Sequence, residues 1–438
     1  MLGEWPLELA WAEKETFDAY RVEALEKKGS SARRAIFKEW QSAPKSARRP
    51  EGLNTVQLLK AASTGLGMSP AQCMKVAEHL YSSGYISYPR TETTRYSDTF
   101  DLEAALREQA SHPTWGKTVG FLLREGKIRR PAPGKDAGDH PPITPIRAAP
   151  RDEFSKGNEW RLYDYITRHF IASLSGDVKY TEHKLVFDIS GEEFVFVFHA
   201  VEDRGFLFAT PWRAKDLRLE ELDWEMPDLA AGTHLDIEEF WVETETTSPP
   251  DYLTEAELVS RMDAQGIGTD ASIPTHIQNI VDRHYVVVCG PGEDGKRGEI
   301  IQKGGKKGRK GKGKGKGKGK EGKGKDDKPA SRHMVPSPMG LSFCAAFEEL
   351  DSELSRPPIR AFMEQQVQQI ADGILDKDEV VSQNLERFHR KFQAFREKLW
   401  KLEKFFVPKE QQGSFGSWES GYGSRGRGEG GAWGSGGG

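Results

Sequence analysis

The sequence has little of what would place it in several large protein classes. Its only three cysteines, Cys73, Cys289 and Cys344, are widely spaced and include no C-x-x-C pair. Neither a disulfide framework nor a zinc ribbon is supported, and a reducing compartment fits best. No apolar run approaches the roughly 18 residues of a membrane span. The N-terminus, MLGEWPLELAWAEKE, has no basic segment leading into an uninterrupted apolar one. The expectation is a soluble intracellular protein with no membrane partner. Nor is there a strong excess of one charge: the net value is −4. The 46 glycines do not make a collagen-like chain, because ten of them fall in residues 303–328 and twelve in 413–438.

What remains is a chain of 438 residues, 36% of them apolar, long enough for about three domains of roughly 150 residues each. The small net charge conceals a split. Residues 303–328 carry twelve lysines and Arg309 against three acids, a local +10 that leaves −14 for the remainder. Net charge governs long-range attraction and does not exclude a groove that binds a polyanion.

Residues 1–53 read as the tail of one domain running through a basic linker, SAPKSARRPEGLN, into another. From Asn54 the pattern turns helical. Ser69 is placed to cap a helix that has Pro70 at its first position, with Cys73, Val76, Ala77, Leu80 and Tyr81 on one face and Gly84 at its end. YISYPRTETTRYSD begins as a short strand and becomes a polar loop; residues 101–130 return to helix and 131–145 to loop. Leu185, Phe187 and Ile189, then Phe194, Phe196 and Phe198, alternate around Ser190 and Gly191 as a hairpin within a β-rich stretch of about 150–245. Thr254 and Glu257 have capping-box spacing and open a helix that Gly266 stops. A second helix starts near Pro274, with a strand over 285–288. Helix, turn, helix and strand is one way to build a nucleic-acid-binding module, and equally a way to pack two helices. The Lys-Gly run has no apolar surface to bury, so a disordered cationic insertion is expected. The final 26 residues pair Ser-Arg-Gly-Arg-Gly with Phe415, Trp418, Tyr422 and Trp433. That composition belongs to flexible tails that hold single strands by charge and stacking, or simply solubilise.

One short string carries chemistry of its own. Pro89 fixes its own φ and drives Tyr88 towards extended backbone, so Tyr88 and Arg90 project to the same side. A tyrosine phenol, with its pKa near 10, is a weak nucleophile at neutral pH. A neighbouring guanidinium favours the phenolate and neutralises a phosphodiester under attack. A phosphotyrosine link made in this way conserves the energy of the broken bond and allows resealing without ATP.

Three longer strings identify a family. GLNTVQLLKAASTGLGMSPAQCMKVAEHLYSSGYISYPRTETTRYS, GDHPPITP and LTEAELVSRMDAQGIGTDASIPTHIQNIVDRHYV resemble, in order and spacing, type IA DNA topoisomerases of the topoisomerase III beta kind. The likeness covers most of residues 1 to about 405 apart from the Lys-Gly run. It implies that Tyr88 is the strand-cleaving nucleophile, that Arg90 positions the phosphate, and that His140 lies near the scissile phosphate. It also implies that Thr269, Asp270 and Ser272 contact a single strand. The implied fold is multidomain α+β, the toroidal type IA core without its Toprim domain. Residues 54–149 would form a helical gate, 1–53 with 150–250 a β-rich arch, 251–405 a DNA-groove domain holding the insertion, and 406–438 a disordered tail.

Family members begin with a Toprim domain whose carboxylates bind Mg²⁺, and this sequence is expected to start after it. The one Asp-x-Asp pair, Asp376 and Asp378, has no apolar strand before it and reads as solvated surface, so no metal ligands are assigned. The expected partners are single-stranded DNA, RNA through the Gly/Arg tail, and a protein adaptor. The expected location is nuclear, with a cytoplasmic pool as an alternative. The competing reading is a catalytically incomplete DNA- or RNA-binding fragment or adaptor.

Overall fold

The computed structural model describes residues 6–219, 228–289 and 332–406. The Lys-Gly run and residues 407–438 lie outside them. The described chain divides into two compact units. One takes in the residues up to Val281 and those from Val288 to Val335; the other takes in Asp282–Val287 and those from Pro336 onward.

The first unit begins with β1 (Ala10–Trp11), α1 (Ala19–Ser31) and β2 (Arg34–Ala47). Next come the helices α2 (Thr55–Gly65), α3 (Pro70–Ser82), α4 (Leu102–Glu108), α5 (Gly116–Arg124) and α6 (Gly157–Ser173). β3 (Val178–Ile189), β4 (Glu192–Asp203), the single turn α7 (Arg213–Asp216) and β5 (His234–Asp236) follow, then α8 (Glu255–Ala264) and α9 (Ile273–Asp282). β6 (Val286–Cys289) and β7 (His333–Pro336) form a two-stranded ladder.

The five-stranded sheet has the order β1-β4-β3-β2-β5. Its centre is the hairpin at Ser190 and Gly191, whose φ values of 57° and 88° give the twist a tight hairpin needs. Phe194 then falls opposite Phe187, and Phe196 opposite Leu185. Ala35, Phe37, Leu185, Phe187, Ile189 and Phe194 form the buried face.

The basic stretch read as a linker differs from that expectation. Residues 42–47 continue β2 and pair with β3 down to Ala47 opposite Val178. Pro44 is accommodated because, among the described residues, β5 covers β2 only at Arg34–Ile36, which leaves the rest of β2 at an edge of the sheet.

The helical block is organised by caps that the sequence signals. Ser69 Oγ accepts the Gln72 N–H (3.2 Å) and Pro70 opens α3. Gly84, at φ 76°, turns the chain out of it. Thr254 and Glu257 bond reciprocally at the start of α8 (2.7 and 3.1 Å). The expected strand after α3 shrinks to one bridge, Ile86 to Pro145. The β-rich stretch opens with a helix, α6, which packs on α3 and shares the stacked rings of His112, Trp115 and Trp160 with the elements before it.

The second unit is helical: α10 (Pro338–Asp351), α11 (Pro357–Ala371) and α12 (Lys377–Glu397). Lys391 on α12 reaches Asp351 at the end of α10 (2.7 Å). Asp376 accepts the Glu379 N–H (2.9 Å) and caps α12, so this carboxylate has a structural task.

Candidate active site

The segment carrying Tyr88 is extended and pinned from below by one buried side chain. Thr55, at the start of α2, has no solvent exposure. Its hydroxyl accepts the Thr91 N–H (2.8 Å) and donates to the Pro89 carbonyl (2.8 Å). Pro89 and Thr91 face inward and are buried, while Tyr88 and Arg90 remain half-buried on the other side. The alternation is that of a strand without a ladder partner.

The bridge at Ile86 brings in the second loop. Ser87 N–H donates to Thr144 O (2.8 Å) and Ile146 N–H to Tyr85 O (2.9 Å), which lays residues 139–142 alongside Tyr88. The His140 ring lies 4.6 Å from the Tyr88 ring, centroid to centroid, at 65°. Tyr88 also meets Tyr81 edge-on at 5.2 Å. Tyr81, expected on one face of α3 with Cys73, Ala77 and Leu80, is 44% exposed while those three are buried. It stands on the last turn, beside the buried Leu80 but turned to the Tyr88 ring.

Arg90 is gripped twice. Its Nε and Nη2 donate to Glu78 Oε1 on α3 (3.0 and 2.5 Å), and Nη1 donates to the carbonyl of Ala271 (3.1 Å). That last bond ties the strand of Tyr88 to the loop before α9, the loop that holds the remaining predicted residues. Thr269 N–H donates to Ser272 Oγ (2.9 Å), and Ser272 N–H returns to Thr269 O (3.0 Å). These two residues therefore close a turn immediately before α9. Gly268, at φ 80°, lies under this turn; a Cβ there would fall 2.8 Å from Ser272 Oγ.

Asp270 feels the charges of the site. Burial raises its carboxyl pKa, against the bond from Ala271 N–H; the Asp139 charge raises it further, while Arg90 and His140 oppose. The structure thus brings Tyr88, Arg90, His140 and Asp270 into one neighbourhood, with Thr269 and Ser272 in the adjoining turn.

Three participants were not singled out from sequence: Asp139, Glu78 and Tyr81. Asp139 accepts from the Thr93 hydroxyl and from Glu92 N–H (2.7 Å), and lies 3.1 Å from the Thr91 hydroxyl. Burial works to raise its pKa, but these donors outweigh it and hold the carboxyl below its ordinary value. The available signal was its place immediately before His140, opposite a Thr-x-Thr string. Among the described residues no cluster of three or more His, Cys, Asp or Glu could hold a metal ion, and no helix is long and apolar enough to cross a membrane.

Residues 4–297 match the family model described as DNA topoisomerase. This chain belongs to the DNA topoisomerase family. It is of the type IA, topoisomerase III beta-like kind. It is 42% identical over 351 residues to mouse DNA topoisomerase 3-beta-1, a match taking in 80% of this chain and 35% of that protein. With DNA topoisomerase 3-beta of Arabidopsis thaliana it shares 36% identity over 402 residues, 92% of this chain and 41% of that one. The chain therefore spans well under half the length of these relatives. Full-length topoisomerase I of Thermotoga maritima has the same fold, with a TM-score of 0.59 at 19% identity, covering 89% of this chain and 56% of that one. The multidomain α+β core expected from the sequence is the one found. The adaptor reading finds no support in these likenesses.

Proposed function

We propose that this chain carries the strand-cleaving and strand-holding parts of a type IA topoisomerase, acting on single-stranded DNA. The observation that carries the reading is the contact of the Tyr88 ring with the rings of His140 and Tyr81, on a pinned strand that also presents Arg90. Tyr88 Oη attacks a backbone phosphorus, the bond from phosphorus to the 3′ oxygen breaks, and that oxygen leaves with a proton as a 3′ hydroxyl. The protein keeps the 5′ phosphate as a tyrosine ester. Attack by the 3′ hydroxyl on the ester reverses the step and returns the proton to Tyr88. Arg90 neutralises the non-bridging oxygens, and His140 lies where it can hold or pass the proton.

The gate is assigned to 54–149, the arch to 1–53 with 150–250, the DNA-groove domain to 251–405 and the tail to 406–438. In the groove domain Thr269, Asp270 and Ser272 contact the strand. Mg²⁺, the cofactor expected from the family, has no fitting ligand set among the described residues, since Asp376 is engaged as a helix cap. No step is assigned to it. RNA binding through the Gly/Arg tail, a protein adaptor and a nuclear location complete the proposal. Equal RNA affinity after deletion of residues 413–438 would remove the tail's part in it.

The test is a denaturant-resistant adduct with single-stranded DNA, formed when a Toprim domain is supplied. It should vanish in Tyr88→Phe; an adduct that persists in that variant overturns the role of Tyr88.

A further inference from the structure

We propose that Asp139 is a positioning residue that holds the His140 ring against Tyr88, an inference that rests on the strand-cleavage reading for its purpose but not for its geometry. The loop that carries His140 has no core of its own, because residues 135–141 are all exposed. It is tied upstream where Lys135 N–H donates to Thr94 Oγ1 (2.9 Å) and Ala137 N–H to Thr93 Oγ1 (3.0 Å). Between those ties and His140 stands Gly138, at φ 75°, a position with little resistance to rotation. Something after Gly138 must fix the chain again, and Asp139 is the first side chain able to do so.

Its carboxylate spans the nucleophile strand. One oxygen takes the Thr93 hydroxyl and faces that of Thr91 (3.1 Å); the other takes the Glu92 N–H (2.7 Å). Thr91 is itself pinned by Thr55, so the anchor is rigid. The Thr91 hydroxyl also lies 2.5 Å from the His140 carbonyl. His140 is therefore held at the side chain before it and at its own carbonyl, and Pro141 and Pro142 restrict the backbone after it. Only the two side-chain torsions of His140 remain free, and the Tyr88 ring closes one side of their range. Donors aimed at both carboxylate oxygens favour the ionised form and match the lowered pKa of this group.

The experiment uses the whole chain with ¹³C-labelled histidine and no DNA. The ring protons of His140 should be displaced by the ring current of Tyr88, a displacement identified by its disappearance in Tyr88→Leu. In Asp139→Asn one of the two acceptor oxygens becomes a donor, so the Glu92 N–H and the Thr93 hydroxyl can no longer both be accepted, and the displacement should be lost. It should persist in Asp152→Asn, an exposed control. With a Toprim domain supplied, adduct yield in Asp139→Asn should fall roughly tenfold to a hundredfold, while single-strand affinity stays within about twofold. Unchanged His140 shifts and unchanged adduct yield in Asp139→Asn overturn the proposal. If that variant does not fold, Thr93→Val and Thr93→Ser decide: displacement lost in the first and kept in the second supports it, and equal behaviour overturns it. The shift measurement needs no cleavage, so it fails or holds independently of the strand-cleavage reading.

Discussion

Two loops converge on the neighbourhood of Tyr88, and each brings one aspartate under opposite terms. Asp139 receives donors on both oxygens from residues 91–93 and has its pKa lowered. Asp270 receives the N–H of Ala271 (2.8 Å), is partly removed from water, and has its pKa raised. Burial opposes ionisation in both, and the supply of donors decides the sign. The first loop satisfies its carboxylate with donors; the second keeps a carboxylate whose charge is costly.

The contrast can be broken at its foundations. Thr55→Val leaves the Thr91 N–H and the Pro89 carbonyl without their buried partner, and should cost about 3 kcal/mol. The midpoint of denaturant unfolding measures this, and a loss under about 1 kcal/mol would mean the strand is held elsewhere. In the second loop Gly268→Ala meets a left-handed φ of 80° and the Ser272 hydroxyl. A cost of about 2 kcal/mol is expected, with weakened binding of a fluorescent single strand; binding that survives intact would detach this turn from the interface.

The two aspartates sharpen the comparison by sign. Asp139 has a lowered folded pKa, so its stabilisation is present above the unfolded carboxylate value and is lost as pH falls through the folded one. Asp139→Asn should thus cost about 1 kcal/mol at neutral pH, after allowance for solvent screening, and flatten the acid limb of the stability curve. Asp270 has a raised folded pKa, so its burden appears as pH rises through the carboxylate range and is constant above it. Asp270→Asn should gain a few tenths of a kcal/mol at neutral pH and nothing below about pH 4. Thermal melting across pH reads both, and equal signs at neutral pH would erase the distinction.

What was legible in the sequence was mostly local. The Ser69 cap, the Thr254–Glu257 box and the Ser190-Gly191 turn depend on residues within a few positions of one another, and each forms as its spacing demands. The alternation of phenylalanines gave the sheet face because a strand has a period of two. The bonds between Thr91 and Asp139, and between Arg90 and Ala271, join residues 48 and 181 positions apart, and no local pattern announces them. Residues 42–47 misled because proline and basic residues weigh against a strand, whereas an edge accepts them. Tyr81 misled because helical period places a residue on a face without saying where the core stops.

The lone-sided half of β2 also bears on how copies of this chain meet in solution. An unpaired strand edge is a template on which a second molecule can extend the sheet. Pro44 stands on this edge, where proline blunts pairing, and the charged head of Lys45, paired with Glu182 at 2.7 Å, follows it directly. The same residues that disguise the strand as a linker make the open edge a poor seed for aggregation.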